Sequence, residues 1–177
     1  MEPKRPLNLP NVPWITPSGT LDPARFPIES VLRQTQSRGL EDFRSGCIFL
    51  GSMVSHGRID AGVYLLGLLR YHHNDLTRLE IVIEGLRSFR EDVCATALFD
   101  ELRRVKSSNA TRRYLDQVIR ALTSFPPDMV QARFHSLAAD TSFSYRMRAK
   151  FAKAAESVES KGPRGFALEP GDPHTTK

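Results

Sequence analysis

The chain has 177 residues, 40% apolar and 25% charged, which suits one globular domain with a real core and leaves little room for two. Its longest apolar runs, residues 61–69 and 46–50, fall far short of the roughly 18 residues a membrane span needs, so no membrane partner is expected. Net charge is +5, and its placement matters more than its size: residues 100–155 hold eleven cations against five anions, while the segments on either side nearly balance.

Seven of the twelve prolines fall in residues 1–27, spaced so that no helix can form, and the segment reads as an extended N-terminal arm. The same prolines interrupt the continuous apolar stretch of an export signal, so none is expected. Trp14, Ile15 and Leu21 gain nothing in a fully solvated tail. They argue for an arm laid on an apolar surface, either of its own body or of a partner. From Pro27, at a first helical position, a short helix is expected through Ser37, stopped by Gly39.

A second helix is expected from Leu40 to about Ser55, ended by Gly57. The next runs from a capping Asp60 to His73. Leu76, Leu79, Ile83 and Leu86, at spacings of three and four, then form an apolar stripe down one face. Residues 91–106 repeat the pattern with Val93, Ala97, Leu98, Leu102 and Val105. Asn109 is the expected cap of a sixth helix carrying Tyr114, Leu115, Val118, Leu122 and Phe125. Pro126-Pro127 breaks the chain before a last pair at 128–139 and 142–158. Residues 159–177, rich in Gly and Pro, read as a disordered tail.

Connections of a few residues force neighbouring helices antiparallel, so the units are helical hairpins. Three hairpins begin alike, Asp60 with Val63, Asp92 with Val93 and Asp128 with Val130, and Arg133 follows the third. This pattern over residues 60–157, with 28–57 as a degenerate first pair, resembles the HEAT-type α-solenoid repeat. The resemblance implies an all-α domain over residues 28–158, with hairpins stacked as a short right-handed solenoid; a compact helical bundle is the alternative. It also implies a non-enzymatic scaffold or adaptor, because proteins similar to HEAT repeats mostly serve that role.

One stretch tempts a chemist: Leu68 to Asp75, "LLRYHHND". Adjacent histidines point about 100° apart and do not chelate one ion as an i, i+4 pair does, and a third ligand would have to come from a residue such as His56. Cations in the last turn complement the helix dipole, and Asn74-Asp75 is capping chemistry, so a helix end is the expected reading. No phosphate-binding, dinucleotide-binding, zinc-protease or nucleophile-elbow motif occurs, so neither an enzyme nor a cofactor is expected. Gly62 and Gly67 inside an apolar helix suggest close helix approach. Carboxylates such as Glu80, Glu84, Asp100 and Glu101 fall on polar faces and are expected to be solvated. Cys47 and Cys94, far apart and each in an apolar pattern, read as buried free thiols in a reducing cytoplasm.

The basic residues are the stronger lead. Arg113, Gln117 and Arg120 make one polar stripe opposite Leu115, Val118 and Leu122. Arg146, Lys150 and Lys153 do the same beside Phe143, Met147 and Phe151. In a solenoid, second helices line the concave face, so the resemblance implies that Arg113, Arg120, Arg146, Lys150 and Lys153 share a groove for an acidic protein partner. Trp14, framed by Pro13 and Pro17, is a further candidate contact. A nucleic acid held by the same groove is the alternative, as in the DNA glycosylases built from HEAT-like repeats.

Overall fold

The computed structural model describes residues 13–16, 18 and 20–160, so the start of the arm, Pro17 and most of the expected tail lie outside the described residues. Among the described residues the chain is all-α, with eight helices and a single isolated antiparallel bridge, Ile15 to Leu21. The helices are α1 (Ile28–Thr35), α2 (Leu40–Ser55), α3 (Ile59–Tyr71), α4 (Leu76–Leu86), α5 (Asp92–Arg104), α6 (Arg112–Leu122), α7 (Pro127–Ala139) and α8 (Tyr145–Glu159). They fall into two compact units, divided between Phe125 and Pro126.

In the first unit α2 is the hub, packing on α1, α3 and α4, while α4 also meets α3 and α6, and α5 pairs with α6. Its sequence explains the role. Phe43, Cys47, Leu50 and Met53 are completely buried, and Gly46 and Gly51 lie among them. A Cβ on Gly51 would sit 2.9 Å from the carbonyl oxygen of Gly85, and one on Gly85 would sit 2.9 Å from that of Cys47. The backbones of α2 and α4 therefore touch, an approach only glycine allows at both positions. At the other side of α2, a Cβ on Gly46 would meet Thr35 Cγ2 of α1 at 2.8 Å.

The two glycines of α3 behave differently. The Phe89 ring covers Gly62 so closely that a Cβ would lie 2.5 Å from it, as the expectation of close packing requires. Gly67 faces open space, with nothing within 4 Å of a Cβ position, and the packing role expected for it is not present.

Helix ends follow local hydrogen bonding. α2 closes with Gly57 at φ +87°, its N–H bonded to Val54 O at 2.9 Å and that of Arg58 to Met53 O at 3.0 Å, a Schellman motif. Asp75 caps α4 as expected, accepting from the Arg78 N–H at 3.1 Å. Asn109 does not cap α6: the N-cap is Thr111, whose hydroxyl is bound to Lys106 O and the Ser108 N–H. Asp60 lies within the first turn of α3 rather than before it, turned back to Arg58. Pro126 and Pro127 start α7, as N-cap and first residue. Ser144 caps α8, and Ser142 instead belongs to a turn closed on Asp140.

In the second unit α7 and α8 form a hairpin that buries Val130, Phe134 and Leu137 of one helix and Met147, Phe151, Ala154, Ala155 and Val158 of the other. Among the described residues no helix is long and apolar enough to cross a membrane.

The glycine geometry makes a paired prediction. Gly51→Ala drives a methyl into backbone and should cost about 1–3 kcal/mol, the usual penalty of overpacking. Gly67→Ala should stabilise by about 1 kcal/mol, the helix-propensity difference alone. Urea midpoints of both variants against the parent check the opposite signs.

Candidate interaction site

The polar face of α6 stands opposite Tyr114, Leu115, Val118 and Leu122, all buried. It carries Arg113 and Arg120, both exposed, with the half-buried Gln117 between them. Asn109, Arg112, Arg113, Asp116, Gln117 and Arg120 line an open, polar pocket of about 480 Å³. Gln117 and Arg120 also border a smaller one, of about 130 Å³, whose other walls are Ile83, Glu84 and Arg87. The Gln117 Oε1 atom is buried there without a hydrogen-bond partner.

This face is less purely basic than α6 alone suggests. Arg113 Nε lies 3.1 Å from Glu80 Oε2, and Arg44 Nη1 lies 3.7 Å from Glu84 Oε2. The carboxylates come from α4, which packs beside α6, so the spacing within α6 gave no sign of them. The signal that could have found them is the Glu80, Glu84, Arg87 series, at i, i+4 and i+7, on the polar side of α4.

The stripe on α8 belongs to the second unit. Arg146 and Lys153 are exposed and Lys150 is half-buried, while Met147 and Phe151 point inward and Phe143 sets its ring edge on Phe151 at 5.2 Å. The amphipathic pattern expected of α8 is therefore present in its own hairpin.

Trp14 lies on the body of the protein. Its ring meets Phe26 edge-on at 5.9 Å, and Phe26 in turn packs on Phe49 of α2 at 5.0 Å. The arm is not simply extended: the bridge from Ile15 to Leu21 closes a turn in which the Thr16 N–H reaches Thr20 O at 2.9 Å. Arg58, delivered by the end of α2, fastens it. One Arg58 nitrogen donates to Ala24 O at 3.3 Å and Phe26 O at 3.2 Å, while the other two hold Asp60 at 2.9 and 2.7 Å.

The histidines resolve as separate local contacts. His72 is the C-cap of α3, and its ring packs edge-on against Phe43 at 5.1 Å. Burial, with Arg78 nearby, holds its pKa below the ordinary value, and Asp75 offsets this only in part. It ends α3 as the helix-end reading expects, and its half-buried position disfavours the charged form. His73 Nδ1 donates to Arg70 O at 3.2 Å, and His56 Nδ1 to Ser52 O at 2.8 Å, since a carbonyl can only accept. Among the described residues no three His, Cys, Asp or Glu side chains gather as a metal site.

Glu101 overturns another expectation. It is 8% exposed, accepts from the Tyr114 hydroxyl at 2.5 Å and from Arg104 at 2.6 and 2.8 Å, and ties α5 to α6. Asp100, its neighbour, is the exposed one. Burial and this carboxylate together push the Tyr114 phenol far above its usual range. Cys47 and Cys94 are free and buried, as expected, with burial raising both thiols to about 12. The thiolate, and with it reactivity, is suppressed.

Compared with known proteins, the chain matches no family model, no curated protein and no solved structure.

Two expected outcomes follow from these contacts. A histidine whose folded pKa is lowered binds fewer protons folded than unfolded. Its stabilising effect is whole above the unfolded value near 6.5 and is lost as pH falls below it. The stability advantage of the parent over His72→Asn should therefore shrink between about pH 7.5 and about pH 5. A constant gap in denaturation midpoints would refute it. Trp14 should emit at shorter wavelength than free tryptophan, and Arg58→Ala should shift that emission to the red before global unfolding begins.

Proposed function

We propose that the protein is a non-enzymatic protein–protein interaction module, a small HEAT-like scaffold or adaptor that offers the basic face of α6 to an acidic partner. The observation that carries this is the convergence of Arg112, Arg113 and Arg120 on one open pocket to which Asp116 contributes the single carboxylate. Grouped cations add their potentials and steer an acidic surface, whereas each alone contributes little to stability. Arg112 and Arg120 matter most in this reading, because Arg113 already faces Glu80.

The packing of α2 on α4 and α4 on α6 supports stacked hairpins, since these are second helices of successive pairs. The solenoid arrangement is part of the proposal, and Arg146, Lys150 and Lys153 form a basic stripe of their own on α8. The module acts in the cytoplasm; the two buried free thiols support a reducing compartment. The cation excess of residues 100–155 favours one second reading, nucleic-acid binding by the same face.

Affinity capture from extract with and without nuclease treatment, run with the parent and with Arg112→Glu/Arg120→Glu, tests both. A protein partner retained by the parent and lost by the variant, at unchanged helicity, supports the module. Retention that nuclease abolishes, falling steeply with salt, supports nucleic acid instead. Equal capture by both proteins would sink the α6 face under either reading.

A further inference from the structure

Another concavity lies away from α6, along the exposed face of α3. It is a groove of about 900 Å³ between the end of α1, the loop to α2, and the exposed face of α3, closed at one end by His72 and Arg78. That volume falls within the range of sites that take a few side chains of a ligand.

Its walls are built rather than loose. Thr35 Oγ1 spends its only proton on Leu32 O at 2.7 Å, so the Tyr64 hydroxyl, 3.0 Å away, must be the donor between them. Arg78 bonds Ser37 O and Arg38 O at 3.2 and 2.9 Å, lies 3.5 Å from Asp75, and stacks on Phe43 at 4.6 Å, which fixes the loop.

The α3 side is apolar and open. Val63 and Tyr71 are 57% and 79% exposed, and Gly67 lies midway between them. Eight residues of helix separate the two by about 12 Å, so Gly67 is a notch between two ridges, wide enough for one apolar side chain. That glycine costs the helix about 1 kcal/mol. Unlike Gly51, Gly62 and Gly85, it meets no packing neighbour that would offset the cost.

The charge on the lining itself is of one sign, although Asp75 pairs with Arg78 and Asp42 accepts from the Ser37 hydroxyl at 3.0 Å. The charged residues lining the groove are Arg38 and Arg78, and no carboxylate lines it. Arg78 is engaged by its own fold, whereas Arg38 is exposed on the rim with no side-chain partner among the described residues.

We propose that this groove docks a short acidic segment of a partner protein, which sets one aliphatic or aromatic side chain into the Gly67 notch and a neighbouring carboxylate against Arg38. The site shares no residue with the α6 pocket, so either proposal can fail while the other stands. Burial of the apolar group in the notch supplies the affinity, and the arginine selects acidic over basic segments.

Selection of a displayed random-peptide library on the full chain tests this, with Gly67→Leu as the counter-target. A leucine there grows into open space, so the variant should keep its helicity and melting temperature while filling the notch. Expected are peptides that pair a large apolar residue with Asp or Glu. As synthetic peptides they should bind Gly67→Leu and Arg38→Glu about tenfold more weakly than the parent, or worse. Arg38→Glu, an exposed change, keeps the test decisive should the leucine disturb folding. Peptides that bind parent and both variants alike, or selection of basic sequences, would overturn the proposal. So would self-association of the parent in sedimentation that Gly67→Leu abolishes, which would give the groove to a second copy of the chain.

Discussion

The contact between Gly51 and Gly85 governs the first unit. Two helices that meet backbone to backbone have no side chains between them to adjust, so their separation and crossing are fixed by the peptide planes themselves. Cys47, Leu50 and Met53 of α2, and Ile81, Val82 and Leu86 of α4, are buried on this framework. A helix pair held at ordinary distance by leucines tolerates repacking; one held at glycine distance does not. The remaining helices are placed by what the pair leaves open, with α1 seated against Gly46 and α6 along the far side of α4.

Polar groups inside this unit are resolved by local chemistry instead of by burial alone. Glu101 would be costly as a lone buried anion. With the Tyr114 hydroxyl on one side and the Arg104 guanidinium on the other, both of its oxygens accept hydrogen bonds and its charge is balanced. Arg78 is the converse case: a cation brought inward, whose protons are divided among two loop carbonyls and Asp75 while its flat face lies on Phe43. Both networks join elements distant in sequence, and both draw on residues that look ordinary in the sequence.

That contrast explains what could be read in advance. Helix number and order were legible because periodicity is local: the buried stripe of α6 is the one its spacing announces. Val93, by contrast, reads onto the apolar stripe of α5 but is exposed, while Cys94, Ala95 and Phe99 are buried there. The start of α6 was not, because Thr111 outcompetes Asn109 through bonds to Lys106 and Ser108 that depend on how the loop folds back. Gly62 and Gly67, five residues apart on one helix, look alike in sequence. Only the position of Phe89 separates a packing glycine from an exposed one. The site was legible in the same partial way. The cations of α6 could be read from its spacing, but the partner of Arg113 arrives from α4, and the edge-on contact of His72 with Phe43 joins α3 to α2 across the fold.

The Arg58 latch carries a consequence for how the chain is made. The carbonyls it holds, at Ala24 and Phe26, leave the ribosome 32 to 34 residues before the guanidinium that binds them. The aromatic support for Trp14 and Phe26 is likewise delayed until Phe49 has been synthesised. During synthesis the arm must therefore wait, unpaired, through the whole of α2 and its closing turn. Docking of the arm thus reports that the turn after α2 has closed.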